Sequence, residues 1–217
     1  MISKRTVEEV FSAVSKKYDF FLNLITFGHI DQWQRNLLGL LPYEGHRLDV
    51  GTGTGEVLLK SQNRGLRVGI DLSLEMLKIA KNKCKVCKFL VADGENMPFK
   101  DKSFGSISLS LVYRHLLDRR SFLREAKRVL KEDGNIALLD ISKFSLTPIL
   151  VFLMKYPLKP LGLLLFGGDK WEFFIHSLEN SLSIEEVNKE LRGEGFEVVE
   201  VQRRLFGLVY LLLAKKG

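Results

Sequence analysis

The sequence predicts an α/β fold, a three-layer sandwich in which a mostly parallel sheet carries helices on both faces. Three observations lead there. Strand-length apolar runs alternate with helical patterns five times over residues 1–141. The first run breaks into the turn Leu48-Asp49-Val50-Gly51-Thr52-Gly53-Thr54-Gly55, with three glycines spaced two apart. The second run, Leu66 to Asp71, ends on a carboxylate 16 positions beyond Gly55.

Composition sets wide bounds. A chain of 217 residues, 46% hydrophobic and 27% charged, fits one globular domain over residues 1–217 and does not read as disordered. Its net charge, 33 minus 26 or +7, suits nucleic acid, an anionic membrane surface or an anionic substrate, and the basic residues are scattered. Met1 to Val10 is charged and lacks the apolar core of a signal peptide, so a cytoplasmic protein is expected. Cys84-x-x-Cys87 has no second pair or nearby His to complete a zinc site. No metal is expected, and two buried thiols are preferred to a disulfide.

Taken in order, Thr6-Val7-Glu8-Glu9 has the form of a capping box and opens a helix toward Tyr18. A second helix covers Asp31 to Leu41, stopped by Pro42. These form an N-terminal helical segment, 1–43, whose aromatic connection either folds over an apolar substrate or caps the core. The core, 46–141, begins with a strand from His46 to Val50 and a helix from Glu56. After the second strand, Ser73 caps a helix to about Lys83, and Val86 to Ala92 is a third strand ending at Asp93-Gly94. A fourth runs from Ser106 to Leu111, with Tyr113-Arg114-His115 just past its carboxyl end. A helix from Arg119 to Leu130 stops at Asp133-Gly134, where the glycine suits a left-handed cap, and Asn135 to Ile141 is the fifth strand.

Residues 144–166 are the most apolar stretch, within a segment 144–180 read as an apolar helical cover. A bilayer span needs about 20 uninterrupted apolar residues, and here Lys155, Pro157, Lys159 and Pro160 intervene. Two short helices bent at the prolines remain, either as core or as the wall of a greasy site that touches a membrane surface. Ser183-Ile184-Glu185-Glu186 is a capping box that opens a helix to about Arg192. Glu197 to Arg204 and Leu208 to Lys215 close the chain as an antiparallel hairpin.

A glycine turn between strand and helix lets a ligand meet backbone without a Cβ, and unpaired N–H groups at the helix start favour an anionic group. The dinucleotide fingerprint wants its last glycine one position later, where Glu56 stands. Asp71 occupies the place that reaches ribose hydroxyls, since a carboxylate accepts from two adjacent O–H groups. The plain alternative is a turn that only packs a helix on a sheet.

The G-x-G-x-G spacing after Asp49 resembles motif I of class I S-adenosylmethionine-dependent methyltransferases, a Rossmann-like fold of seven strands with the last inserted antiparallel. Nearly the whole chain is similar to the ubiquinone/menaquinone-biosynthesis C-methyltransferases. The resemblance rests on Lys17-Tyr18-Asp19, Phe27-Gly28 and Trp33; Asp49 to Glu56; Asp71-Leu72-Ser73 with Glu75-Met76-Leu77; Ala92 to Glu95 with Met97-Pro98-Phe99; Arg128 to Lys131; and Ile141-Ser142-Lys143. It implies S-adenosylmethionine as cofactor, held by Asp49, Gly51, Thr52, Gly53, Thr54, Gly55, Asp71, Leu72, Met76, Asp93, Gly94 and Ser110. It also implies a lipophilic small-molecule acceptor of the demethylmenaquinol kind.

The family's Gly-Leu-Arg-Asn after strand four is Val112-Tyr113-Arg114-His115 here, which keeps the arginine and changes the glycine and the asparagine. The expected catalytic residues are Arg114, to stabilise a phenolate, with His115 or a water held by Arg114 and Tyr18 taking the proton. The Asn/Asp-Pro-Pro-Tyr/Phe tetrad of exocyclic-amine methylation does not follow strand four, which argues against nucleic acid as the acceptor. Methylation of another apolar small molecule and a non-catalytic cofactor-binding protein remain as alternatives.

Overall fold

The computed structural model describes residues 22, 23, 26 and 28–217. The helix read at Thr6, together with Tyr18 and Asp19, lies outside them. The described elements are α1 (Ile30–Gly39), β1 (Arg47–Val50), α2 (Glu56–Lys60), β2 (Arg67–Asp71), α3 (Leu74–Lys83), β3 (Lys88–Val91), β4 (Phe104–Ser110), α4 (Arg119–Val129), β5 (Leu130–Ile141), α5 (Thr147–Lys155), α6 (Lys159–Phe166), α7 (Gly168–Glu179), α8 (Ile184–Gly193), β6 (Phe196–Arg204) and β7 (Val209–Lys216).

One seven-stranded sheet has the order β3-β2-β1-β4-β5-β7-β6. Strands β1 to β5 are parallel, and β7 enters antiparallel between β5 and β6. Side chains alternate across β5 and so feed two cores. Ile136 and Leu138 join Phe122, Leu123 and Val129 of α4 and Val187 and Leu191 of α8 on one face. Ala137 and Leu139 join Ile30, Trp33 and Leu37 of α1 on the other. The described part of the N-terminal segment is therefore a structural layer, with Trp33 and Leu37 buried.

Inside the sheet, β1 is buried from end to end, including Arg47. That guanidinium is satisfied by Ser106 Oγ at 3.2 Å, Ser61 Oγ at 2.6 Å and the Pro42 carbonyl at 2.9 Å. Burial still lowers its pKa to about 10. These bonds tie the start of β1 to β4 and to the chain on either side of it.

Three local expectations need correction. Helix α4 ends at Val129, and β5 begins at Leu130, where pairing with Phe104 and complete burial of Leu130 outweigh another helical turn. The left-handed residue there is Asp133, at φ 57°, not Gly134; aspartate tolerates that region. Cys84 and Cys87 are joined in a disulfide, not held as thiols, and both are buried against Leu58. The bridge closes the turn after α3, so β3 starts at Lys88 and leaves Val86 exposed.

The cap at Ser73, the capping box at Ser183 and the closing hairpin follow the pattern read from sequence. Ser73 Oγ accepts from Met76 N–H at 3.2 Å, and Ser183 with Glu186 forms the full reciprocal box at the start of α8. In α5 and α6 the core reading fails, because Ile149, Phe152, Leu161 and Leu164 are exposed. No helix among the described residues is long and apolar enough to cross a membrane.

Gly69 in β2 supports the site from behind. A Cβ there would lie 2.7 Å from Thr52 Cγ2 and 2.9 Å from Phe89 Cδ1. Gly69→Ala is expected to destabilise the protein by about 1–3 kcal/mol through overpacking against the glycine turn. Urea denaturation checks it.

Candidate active site

The polar residues singled out in the sequence converge at the carboxyl ends of the parallel strands, the end where open α/β sheets bind ligands. Between β1 and α2, Gly51, Gly53 and Gly55 have φ of 65°, 53° and 81°. These are left-handed values that a side chain would strain. A Cβ on Gly51 would also lie 2.5 Å from Val112 Cγ2, so the turn sits directly against the residue that follows β4. Around Gly53 a Cβ would meet nothing within 4 Å, so this turn faces open space.

The turn is held from the neighbouring strand. Thr52 N–H donates to the Ile70 carbonyl at 2.9 Å. Asp71 Oδ2 accepts from Gly53 N–H at 2.8 Å while Oδ1 accepts from Ser73 N–H at 2.9 Å. One carboxylate thus links the glycine turn to the start of α3. The side chain of Thr52 packs back against Gly69, so what this residue can offer a ligand is backbone. Thr54 is buried, and Leu72 is half-buried beside Asp71. Met76 is buried in the first turns of α3.

Beneath the turn, Asp49 is buried and accepts from Ser108 Oγ at 2.6 Å. Desolvation pushes its pKa up to about 6, against the opposing effect of the Ser108 hydrogen bond. On the far side of β1, a chain of polar contacts joins α1 to α2. Gln34 Nε2 donates to Ser110 Oγ at 3.4 Å, Lys60 Nζ donates to Gln34 Oε1 at 3.0 Å, and Glu56 takes Lys60 and Lys83, each at 2.7 Å. After β3, Asp93 Oδ1 accepts from Glu95 N–H at 2.9 Å, and Gly94 is required because a Cβ would lie 2.7 Å from Val50 Cγ1. The Glu95 carboxylate in turn accepts from the N–H groups of Leu117 and Asp118.

Arg114 and His115 lie in a short 3-10 turn after β4, and two residues the sequence reading passed over join them. Asp140, at the end of β5, is buried and accepts from Arg114 N–H at 3.1 Å and from its guanidinium Nη1. Ser177 of α7 accepts from Arg114 Nε at 2.7 Å and lies 3.5 Å from His115 Nε2. Burial and the Arg114 charge hold the His115 pKa well below the usual histidine value, so the imidazole is neutral near pH 7. Nη2 of Arg114 makes no hydrogen bond to any described residue. The signal for Asp140 was present: it is an acid ending an apolar strand, as Asp49 and Asp71 are. Ser177 had none, because only folding brings α7 to β4.

This arrangement fits a nucleoside joined to a charged sulfonium amino acid. The open glycine turn admits the ligand against backbone, and carboxylates at the ends of β2 and β3 are placed to meet hydroxyl and amine donors. No group of three or more metal-ligating side chains occurs among the described residues.

The raised Asp49 pKa makes a stability prediction. Between pH 4 and 6 the folded state binds more protons than the unfolded, so this carboxyl lowers stability as pH rises through that window. From pH 4 to pH 7, Asp49→Asn is expected to gain up to about 3 kcal/mol relative to the parent protein. Denaturation curves at both pH values check it.

The comparisons agree with the geometry. Residues 1–216 match the model of the ubiE/COQ5 methyltransferase family. A demethylmenaquinone methyltransferase of Thermotoga maritima is 33% identical over 207 residues, 90% of each chain. A ubiquinone/menaquinone biosynthesis C-methyltransferase of Geotalea uraniireducens is 33% identical over 208 residues, 88% of each. Among solved structures, a SAM-dependent methyltransferase of Thermotoga maritima superposes with TM-score 0.73 at 19% identity, covering 97% of this chain and 99% of its own. A geranyl diphosphate C-methyltransferase of Streptomyces coelicolor does so with TM-score 0.65 at 11% identity, covering 86% and 75%. With the family model spanning nearly every residue and the glycine turn, Asp71 and the antiparallel β7 all in place, the chain belongs to the ubiE/COQ5 methyltransferase family and is an S-adenosylmethionine-dependent methyltransferase.

Proposed function

We propose that this enzyme methylates a ring carbon of a reduced, prenylated quinone of the demethylmenaquinol kind, working on a lipophilic acceptor at the surface of a membrane. The observation that carries the reading is the cluster of Arg114, His115, Asp140 and Ser177 at the carboxyl ends of β4 and β5. The names of the 33% identical relatives support it.

The cofactor, bound at the glycine turn and Asp71, supplies an electrophilic methyl group. What the protein must add is a nucleophilic ring carbon. Removing a phenolic proton spreads negative charge to the ortho carbon, which would take the methyl group as its bond to sulfur breaks and the demethylated thioether leaves. Loss of the ring carbon's own proton restores the aromatic ring. His115, neutral and within reach of Ser177, is suited to accept the phenolic proton, as a base must be unprotonated to act. Arg114 is held by Asp140 and Ser177 through Nη1 and Nε, so its Nη2 end is presented in a fixed orientation to the phenolate oxygen. Asp140 orients Arg114 twice over, through backbone and side chain, which makes it a positioning residue. Tyr18, the other residue assigned to the proton path from sequence, lies outside the described residues, and the cluster reaches a base without it.

Incubation with labelled S-adenosylmethionine and a short-chain demethylated naphthohydroquinone is expected to give a product heavier by one methyl on carbon. A product methylated on oxygen, or no product alongside transfer to another apolar phenol, would move the assignment to a different small-molecule acceptor. Arg114→Lys keeps the charge against Asp140 but loses the planar fork, and should lower kcat by about 10²–10³ with cofactor affinity unchanged. Because the His115 pKa is depressed, kcat should stay flat as pH falls through 6.5 and drop only well below it; a pH profile of kcat checks this, and His115→Gln should remove the acid limb.

A further inference from the structure

We propose that the tip of the β6–β7 hairpin and the outer faces of α5 and α6 form one docking surface for an anionic lipid leaflet, placed at the mouth of the active site. The proposal rests on the reading of a lipophilic acceptor, and it names the surface by which the enzyme meets the phase that holds it.

The hairpin tip is the first observation. Phe206 is 99% exposed and Leu205 is 39% exposed. Both sit in the left-handed region, with φ of 56° and 45°. Two consecutive non-glycine residues in that conformation are strained, and a glycine or asparagine would relieve them. Here the turn instead holds a complete phenyl ring out in water, which opposes both backbone preference and the hydrophobic effect.

The second observation is placement. Val209 pairs with Ile141 at the carboxyl end of β5, and Ser142 N–H donates to the Leu208 carbonyl at 2.7 Å. The hairpin tip and the chain entering α5 therefore leave the sheet at the same end, one residue beyond Asp140. From there α5 and α6 present Ile149, Phe152, Leu161 and Leu164, between 53% and 82% exposed. Thr147 is the buried residue of α5. Both helices instead stand on α7, where Trp171 donates to the Met154 carbonyl at 3.2 Å and fills the space beside Gly162. The same α7 carries Ser177 to Arg114, so the apolar helices rest on the element that touches the reacting cluster.

The third observation is charge, and it selects the occupant. Residues 143–168 hold three lysines and no acidic residue, and the hairpin tip over residues 201–209 holds Arg203 and Arg204 and no acidic residue. Lys155 pairs with Glu179 of α7 and Arg203 lies 3.7 Å from Glu185, whereas Lys143 is exposed at the entry to α5 and Lys159 at the start of α6. Apolar side chains flanked by basic residues, without a span of bilayer length, are the pattern of a segment lying in the interface of an anionic membrane. A second copy of this chain would carry the same positive charge to the patch, which disfavours self-association there.

The test is flotation of the full chain with vesicles free of quinone and cofactor, either pure phosphatidylcholine or with phosphatidylglycerol added. Preferential binding to the anionic vesicles is expected, weakening as salt rises. Phe206→Ser should weaken it by about tenfold and Phe206→Ser with Leu164→Ser further, since each removes a large apolar side chain from the interface. Methyl transfer to a water-soluble short-chain acceptor should be unchanged in both variants, which shows that they fold. Equal binding to neutral and anionic vesicles, binding untouched by the two substitutions, or a dimer that dissociates in Phe206→Ser with no vesicle binding at all would each overturn the proposal. Because the vesicles contain no acceptor, their result is independent of the methyl-transfer assay. A membrane-binding enzyme that leaves naphthohydroquinone untouched would sink the assigned reaction and not this surface.

Discussion

The site depends on a single carboxylate placed between two backbone N–H groups. Asp71 receives Gly53 on one oxygen and Ser73 on the other. It thereby holds the glycine turn of β1 in register with the first turn of α3. A turn built of left-handed glycines has little conformational preference of its own and would sample many shapes in isolation. Hydrogen bonds from the adjacent parallel strand, together with packing of Thr52 on Gly69 and of Gly51 on Val112, reduce it to one shape. The carboxylate that ends β2 is thus the residue that shapes the loop beside it.

The second half of the site is organised by a buried ion pair. A carboxylate as buried as Asp140 would be costly without a partner, and a guanidinium as covered as that of Arg114 likewise. Each satisfies the other, and Asp140 also takes the backbone N–H groups of Arg114 and Ile141. The cost of desolvation is spent on orientation. Burial first, and then the same cation, hold the pKa of the neighbouring His115 well below the usual histidine value. Behind it, Tyr113 donates to Glu190, which receives Arg119, and these bonds lock the 3-10 turn against α8.

Sheet and cover behave differently for an evident reason. Strands β4, β5 and β7 lie between two layers, and the alternating side chains of their central residues are buried. Among the described residues, helices α5 and α6 pack on α7 and on each other and leave much of their apolar surface in water. They occupy the stretch of chain between the last parallel strand and α8.

Much of this was legible from the amino acids alone. Strand and helix periods, the cap at Ser73, the capping box at Ser183 and the closing hairpin are local patterns, written in residues within a few positions of one another. The glycine spacing with Asp49 and Asp71 likewise marks a cofactor turn, because a backbone that must take left-handed angles leaves few residue choices. Pairings across long stretches of chain were not legible. Asp140 shows as an acid near the end of an apolar strand, but nothing in sequence pairs it with Arg114, brings Ser177 there or joins Gln34 to Ser110; these contacts exist because β4, β5, α1 and α7 meet in space. The tertiary structure also decided that Leu130 begins a strand, that Asp133 takes the turn, and that Cys84 and Cys87 are bonded. In each case the side chain's final neighbours outweighed its local preference. The same holds for the apolar run after β5: its composition shows that it avoids water, but only the packed molecule shows which side chains the core had no room to receive.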